Sequence, residues 1–368
     1  MVDEERSART QKRPLYKKAL ALIVGIVAAL LIGEIIVRVI ALETEAHWKI
    51  FDTQRAAPAI PDRTKVDPHA AGRKAFRIAF LGDSFTYGLG VECDCTFVPL
   101  AGKMLNARHS FPIATVNMGE PGADLIKEWV IYNNLKDKVR PHVVVHVLSE
   151  NDLDVDLYEG LLAIKSLYEE RLWPSRFSRL FAFVECTVRK RIGHRRMLDY
   201  MCGGATEAER RRSWRIARCA IEETKRLVEH DGALYVLARF PYLGNLKEPA
   251  LRETHRLTAE LAGSLGVPFL DLSHVFKNKR ADEMHLPDDS HPSEAAHSLA
   301  ARALAEFLSV EVCAKFPPAP PRWKGSIRSK KGEQQAKIGF LQKILRLDPT
   351  CRSAKARLQL AVKQQIPR

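Results

Sequence analysis

The chain has 368 residues, a hydrophobic share of 46% and a net charge of +14. This length allows one large domain with appended segments, and the hydrophobic share is ordinary for a globular protein. The positive charge is concentrated in residues 309–368, which carry 14 Lys and Arg against three Asp and Glu. The rest is close to neutral, so no nucleic-acid partner is expected. A solvated surface is predicted for the basic end, and contact with a protein or an anionic surface is the alternative.

The amino terminus has the pattern of a membrane anchor. Residues 1–18 form a basic, cytoplasmic tail, and residues 19–42 are apolar and span roughly 36 Å as a helix, against a bilayer core of about 30 Å. Glu34 and Arg38 interrupt this stretch four residues apart, where they can pair on one helix face. The basic flank predicts that everything after the span lies outside the cytoplasm, in the periplasm if the cell is Gram-negative. The alternative is a cleaved signal peptide, whose apolar core is normally shorter.

After a proline-containing connector at residues 43–74, apolar runs alternate with amphipathic segments. The runs have the composition of buried strands and lie at Ile78–Leu81, Ile113–Asn117, Val143–Leu148, Ala233–Ala238 and Val267–Leu272. The segments predict helices at Thr96–Ala107, Leu125–Leu135, Glu207–His230, Lys247–Leu265 and Glu294–Leu308. This alternation predicts a flavodoxin-like, three-layer α/β/α sandwich around a parallel sheet of about five strands, covering residues 75–309.

Residues 153–206 exceed the minimal alternation and predict a helical insertion. Apolar residues recur there at helical spacing between basic ones, at Phe177, Leu180, Phe181, Val184 and Val188. We expect this helix to pack on the domain as a lid or side wall, and an interfacial helix lying on the bilayer is the alternative. The series Asp152, Asp154, Asp156 resembles the start of a calcium loop, but Leu157 and Ala163 occupy the positions that require Gly and Glu.

Residues 310–368 begin with a stiff proline linker at 317–321. Two short helices are predicted within Phe340–Leu360, separated at residues 347–349 in the manner of a tetratricopeptide junction. One such pair is fewer than the roughly three repeats that a stable array needs. We therefore expect a docking appendage.

Four polar or glycine-containing stretches follow the predicted strands. Ser84 follows the first strand, Gly122 the second and Asn151 the third, while Asp288 and His291 lie in the loop after the fifth. In a parallel doubly wound sheet these points share the carboxyl edge. A hydroxyl, a base, a carboxylate and oxyanion donors are the parts that serine hydrolysis needs.

These stretches resemble the four blocks of the SGNH (GDSL) hydrolase superfamily. The matching residues are Gly82-Asp83-Ser84, Asn117 with Gly119 and Gly122, Asn151-Asp152, and Asp288 with His291-Pro292. The resemblance covers roughly Arg73–Leu308, and Thr86–Val91 is similar to a membrane-anchored bacterial branch.

The resemblance implies that Ser84 is the nucleophile, His291 the general base and Asp288 its orienting acid, with Asp289 as the alternative. It also implies an oxyanion hole of the Ser84 and Gly122 backbone N–H groups and the Asn151 side-chain amide. Two positions depart from the usual glycines, namely Ser149 and Ala296. Pro292 is expected at the first position of the closing helix.

The implied activity is hydrolysis of an O-acyl ester, such as an acetyl group on a cell-envelope glycan or a lipid ester. An O-acyltransferase with the same triad and a non-catalytic scaffold recruiting partners through the basic end remain alternatives. No metal, nucleotide or flavin cofactor is expected, because Cys93 and Cys95 lack a second ligand pair and Gly88-Leu89-Gly90 lacks the phosphate-loop pattern. A disulfide among Cys186, Cys202 and Cys219 is predicted, with the pairing open.

Overall fold

The structure is a computed structural model that describes residues 15–43, 75–153, 172, 174, 177–202, 204, 206–244, 249–286, 291–315 and 330–364. By its internal contacts the chain divides into two compact units. We call residues 1–58 with 165–194 the helical unit, and residues 59–164 with 195–368 the sheet unit.

The sheet unit contains a parallel five-stranded sheet with the spatial order β2-β1-β3-β4-β5. This confirms the predicted flavodoxin-like class and the five predicted strands, with shifts of one or two residues at their ends. The strands are β1 Phe76–Gly82, β2 Ile113–Gly119, β3 Val143–Leu148, β4 Leu234–Arg239 and β5 Phe269–Asp271.

The helices of the described residues follow in chain order. They are α1 Leu15–Glu43, α2 Ser84–Tyr87, α3 Phe97–Arg108, α4 Leu125–Val139, α5 Arg179–Met201, α6 Glu207–His230, α7 Pro249–Leu265, α8 Ser273–Phe276, α9 Ala281–Met284, α10 Glu294–Glu311, α11 Lys330–Leu347 and α12 Arg352–Lys363. All but α1 and the residues of α5 up to 194 belong to the sheet unit.

Two apolar cores lie on the two faces of the sheet. Side chains of α4, α6 and α7 form one core, and side chains of α3, α8, α9 and α10 form the other. Every residue of β1 and β3 is buried, which explains why these strands are continuous apolar runs rather than alternating ones. The three-layer arrangement that the sequence predicts is therefore present.

The register of the central strands aligns their carboxyl ends. Gly82 at the end of β1 pairs with Gly119 of β2 on one side and with Val147 of β3 on the other. The chain segments that leave β1, β2 and β3 therefore start from one edge of the sheet, at the switch point where such folds place their ligands.

The carboxyl-terminal helices differ from the expected appendage, because they complete the first of these cores. Phe340 of α11 stacks on Trp129 of α4 with ring centroids 4.3 Å apart, and Ile338, Leu341 and Ile344 are buried beside it. Two ion pairs join the same helices to α6, Lys343–Glu223 at 2.6 Å and Arg212–Asp348 at 2.5 Å. The helix pair needs no further repeats, since the helical layer over the sheet supplies the apolar face that it packs against.

The helical unit contains α1 and the first part of α5. Within α1, residues Tyr16–Val39 are long and apolar enough to cross a membrane and are not buried in the structure. By length and composition alone, such a helix fits either a membrane anchor or a signal sequence. The predicted pair is confirmed, with Arg38 Nε 2.8 Å from Glu34 Oε1.

The structure bears on two expectations for the insertion. The helix over the apolar stripe is present, and Phe177, Phe181, Val184 and Val188 are exposed. Cys219 has a free thiol and is excluded from the predicted disulfide. The side chain of Cys186 and most of residues 154–176 lie outside the described part of the chain.

Candidate active site at the carboxyl edge of the sheet

Ser84 begins the short helix α2 directly after β1. Asp83 caps this helix, because its Oδ1 accepts a hydrogen bond of 2.9 Å from the Phe85 N–H. The helix ends at Gly88, whose φ of 76° is left-handed and whose N–H donates to the Ser84 carbonyl at 2.9 Å. The backbone on both sides of Ser84 is therefore fixed by local hydrogen bonds.

Two glycines allow the strand ends to approach α2 closely. A Cβ at Gly82 would clash with Thr86 Oγ1 and the Val147 carbonyl, and one at Gly119 would clash with the Tyr87 backbone. The Asn117 side chain joins the same elements, since its Nδ2 donates to the Thr86 carbonyl at 2.8 Å. The second sequence block thus holds the turn that carries Ser84.

His291 lies against Ser84. Its Nε2 is 2.9 Å from Ser84 Oγ, and the Phe85 ring meets its imidazole edge-on at a centroid distance of 5.5 Å. An isolated bridge between His285 and Pro292 shapes the loop, and the Leu286 N–H donates to the His291 carbonyl at 2.9 Å. The backbone at and directly after His291 is therefore fixed by pairing with residues 284–286.

The expected position of Pro292 was wrong. The closing helix α10 begins at Glu294, and Ser293 is its N-cap, with Oγ accepting a hydrogen bond from the Ala296 N–H. Pro292 instead takes part in the bridge with His285. Ser293 takes the N-cap position because its hydroxyl can accept a hydrogen bond from a free helical N–H. A proline side chain at the N-cap could not accept this bond.

Of the remaining predicted site residues, the structure describes Gly122 and the backbone of Asn151. Gly122 follows β2 with a left-handed φ of 68° and open space where a side chain would be. Asn151 lies in the 3₁₀ turn Glu150–Leu153 after β3, and its side chain is outside the described residues. Asp288 and Asp289 are also outside them. The structure thus brings Ser84 and His291 into hydrogen-bond distance and places Gly122 and the Asn151 backbone after β2 and β3, the strands on either side of β1.

Ser149, which stands where a glycine is usual, has hydrogen-bond partners for both its side chain and its backbone N–H. Its Oγ donates to Asp83 Oδ2 at 2.8 Å, and its N–H donates to Asp152 Oδ2 at 2.6 Å. Burial, together with Glu128 and Asp83, raises the pKa of Asp152 well above its usual value. A hydroxyl at this position therefore links the third block to the acid that caps α2.

Glu150 anchors the turn that carries Asn151. Its carboxylate is bonded to buried Arg239 at the end of β4, and its Oε1 lies 2.6 Å from His255 Nε2. Burial is the largest influence and raises the pKa of Glu150, but Arg239, His255 and Thr254 together lower it below its usual value. The one sequence signal was Arg239 itself, a charge that ends an otherwise apolar strand.

His146 is a core histidine, as its position inside β3 predicts. Its Nδ1 lies 2.6 Å from the Tyr235 hydroxyl and its Nε2 lies 2.7 Å from Glu128 Oε2. Burial lowers the pKa of His146 to about 3 and raises that of Glu128, with Asp83 and Asp124 adding to the latter shift. This imidazole stays neutral and is bonded away from Ser84.

A serine and a histidine paired at the carboxyl edge of a parallel α/β sheet are the arrangement expected of a serine hydrolase of the SGNH type. The model of the GDSL-like lipase/acylhydrolase family matches residues 80–299, more than half of the chain. The chain therefore belongs to the GDSL-like lipase/acylhydrolase family and is an ester-hydrolysing enzyme.

Several solved structures are similar to this chain. A lipase/acylhydrolase from Enterococcus faecalis is 15% identical, with 64% of this chain and 96% of that chain covered and a TM-score of 0.40. An acetylxylan esterase from Geobacillus stearothermophilus is 18% identical, with 67% and 97% covered and a TM-score of 0.38. An esterase from Pseudoalteromonas is 12% identical, with 65% and 99% covered and a TM-score of 0.41. No protein of curated function matches the sequence.

Proposed function

We propose that this protein is a membrane-tethered, extracytoplasmic serine esterase that hydrolyses an O-acyl ester through Ser84, His291 and Asp288. The observation that carries the proposal is the distance of 2.9 Å between Ser84 Oγ and His291 Nε2 at the carboxyl edge of the sheet. A nucleophile and its base within hydrogen-bond reach are the geometric requirement of this chemistry.

The first half of the reaction forms an acyl-enzyme. His291 takes the Ser84 proton as Oγ attacks the ester carbonyl, and the negative charge collects on the carbonyl oxygen. The Ser84 and Gly122 N–H groups and the Asn151 amide are the proposed donors to that oxygen. The intermediate then collapses, the ester C–O bond breaks, and His291 returns the proton to the leaving alcohol.

Water completes the cycle. His291 removes a proton from water as the hydroxide attacks the acyl carbonyl, and the proton then passes to Ser84 Oγ as the acid leaves. Asp288 is proposed to accept a hydrogen bond from Nδ1 of His291, which would hold the correct tautomer and stabilise the imidazolium. Its place three residues before His291 supports this assignment.

The apolar helix α1 and the basic residues before it support the tether. A basic flank on the amino side favours a cytoplasmic amino terminus and an enzyme domain outside the cytoplasm. Esters reachable from there include acetyl groups on cell-envelope glycans and lipid esters. An O-acyl ester is the proposed substrate class, with acetyl as one such acyl group.

Replacement of the nucleophile tests the proposal. Ser84→Ala is expected to lower kcat for p-nitrophenyl acetate by about 10⁴-fold or more and to abolish labelling by a fluorophosphonate probe. The chain offers a matched control, because Ser309 Oγ lies 2.9 Å from His109 Nε2 in a second serine–histidine pair. That pair lies at the carboxyl ends of α3 and α10, near the amino edge of the sheet, so Ser309→Ala should leave both measurements unchanged. Retention of hydrolysis and labelling by Ser84→Ala would contradict the proposal.

A further inference from the structure

Exposed apolar side chains are concentrated in two places. Among the described residues, large hydrophobic side chains at the surface belong mostly to α1 and to residues 172–192. The others are Val310, Leu347, Leu360 and Val362, which are scattered in the sheet unit. Scattered residues of this kind are normal on soluble proteins, whereas a contiguous apolar surface indicates a partner or a membrane.

Four of the exposed apolar residues of α5 form one stripe. Phe181, Val184, Val188 and Ile192 recur every three or four residues, and their exposed fractions lie between 37% and 50%. Phe177, in the turn before α5, extends the stripe and is 67% exposed. The stripe is about 17 Å long at 1.5 Å per residue, long enough to embed one face of a helix.

Basic residues accompany this stripe. Arg179 begins the helix on the side away from it, and Arg189 and Arg191 lie on its two flanks. Glu185, the acidic residue of the same segment, is buried and bonded to Arg189 at 2.6 Å. An apolar face with flanking arginines complements acyl chains next to anionic lipid headgroups.

A contact with α1 fixes the start of α5 at one level of the spanning helix. Glu34 accepts hydrogen bonds from Ser178 Oγ at 2.8 Å and from the N–H groups of Arg179 and Leu180 at 2.9 Å each. The Leu180 side chain lies over Gly33, where a Cβ would be 3.0 Å from its Cδ2. A carboxylate of one helix thus caps the amino terminus of the other.

We propose that residues 177–192 lie in the outer interface of the bilayer that α1 spans, with the stripe toward the acyl chains. This inference rests on the membrane anchorage proposed above. Glu34 precedes Val39, the last residue of the apolar span, by five residues, or about 7.5 Å along the helix. That depth agrees with the roughly 5–10 Å to which interfacial helices bury their apolar face. The enzyme therefore has two membrane contacts, one spanning and one interfacial.

Photocrosslinking to lipid tests this placement. The full chain, reconstituted in vesicles of phosphatidylethanolamine and phosphatidylglycerol, carries the photoreactive residue p-benzoylphenylalanine at Phe181 or at Phe183. These two exposed phenylalanines are two residues apart in the sequence and therefore point about 200° apart around the helix. Phe181 is expected to form at least about fivefold more lipid adduct than Phe183, because only Phe181 faces the acyl chains.

A third probe distinguishes failure of the interfacial placement from failure of the membrane anchor itself. p-Benzoylphenylalanine at Leu30 within α1 is expected to form lipid adducts if α1 spans the bilayer. Adducts at Leu30 with none at Phe181, equal adducts at Phe181 and Phe183, or crosslinks from Phe181 to a second copy of the chain would overturn the interfacial placement. Absence of adducts at Leu30 would instead contradict the anchorage.

Discussion

The two compact units distribute their apolar side chains in opposite ways. In the sheet unit the large side chains are inside, where Trp129, Tyr235 and Phe240 are almost fully buried. In the helical unit they are outside, and a carboxylate, Glu34, makes the contact between the helices. Burial of apolar surface from water stabilises the sheet unit. Helices in a membrane are instead held together by polar contacts, while lipid covers their apolar side chains. We therefore expect substitutions in the sheet unit to leave the membrane contacts unchanged, and substitutions in the helical unit to leave hydrolysis of a soluble ester unchanged.

The largest effect is expected from the buried ion pair behind the active site. Arg239→Met leaves the Glu150 carboxylate buried without its cation, and we expect the free energy of unfolding to fall by about 3–5 kcal/mol. Arg256→Met, on the exposed side of α7, removes only surface pairs with Glu253 and Glu260 and should change it by about 0.5 kcal/mol at most. Denaturant unfolding measures both. An equal decrease in the free energy of unfolding for the two variants would show that the buried Arg239–Glu150 pair stabilises the fold no more than a surface pair does.

The proposed oxyanion donor gives the next effect. Asn151→Ala should lower kcat by about 10²–10³-fold while KM changes little, because the amide bonds only the charge that develops in the reaction. Lipid crosslinking from Phe181 should be unchanged in this variant, since the change lies in the sheet unit. A drop in kcat of less than about tenfold would remove Asn151 from the oxyanion hole.

The pH dependence of stability should change when Glu128 is replaced. Because its folded pKa is raised, Glu128 keeps a proton that the unfolded chain releases above its usual pKa of 4.5, so the wild type loses stability as the pH rises from there. Glu128→Gln lacks this loss, and its stability relative to wild type should rise by up to about 1.4 kcal/mol per pH unit.

The control is Glu207, whose pKa is lowered, chiefly by a hydrogen bond from Arg211. Stability from such a group is present above pH 4.5 and is lost only as the pH falls further, so Glu207→Gln should differ from wild type by a constant amount between about pH 5 and 7. Denaturant unfolding at several pH values decides the matter. A flat difference for Glu128→Gln as well would contradict the raised pKa.

The smallest effect is expected in the helical unit. Glu34→Gln weakens the charge-assisted cap on α5, and hydrogen exchange at the Arg179 and Leu180 amides should become about tenfold faster, equivalent to about 1.4 kcal/mol. Arg38→Gln removes only an exposed partner of Glu34 and should change exchange less than about twofold. Hydrolysis of a soluble ester should be unaffected by either variant. Unchanged exchange in Glu34→Gln would show that the cap does not hold the helix.

The sequence predicted those features that depend on local pattern. Runs such as Val143–Leu148 are apolar because both faces of the strand are covered, and the order of strands and helices places Ser84 and His291 on one edge. The 2.9 Å between them agrees with that reasoning, while the role of Asp288 stays a prediction.

Features that depend on a distant partner were not predicted. Arg239 and Glu150 are 89 residues apart, and nothing near either position indicates the other. The apolar faces of α5 and α11 have similar helical spacing, yet the first is exposed and the second is buried. Periodicity reports that a helix has an apolar face, but not whether protein or lipid covers it.

The packing of Phe340 on Trp129 has a consequence for the order in which the chain acquires its structure. All five strands leave the ribosome before α11 does. The surface of α4 around Trp129 therefore stays exposed to solvent while the rest of the domain folds. A polypeptide cut short after α10 would retain every proposed catalytic residue and still present that face to chaperones and proteases. Synthesis of the last forty or so residues, about a tenth of the chain, is therefore expected to cover the surface that quality control would recognise.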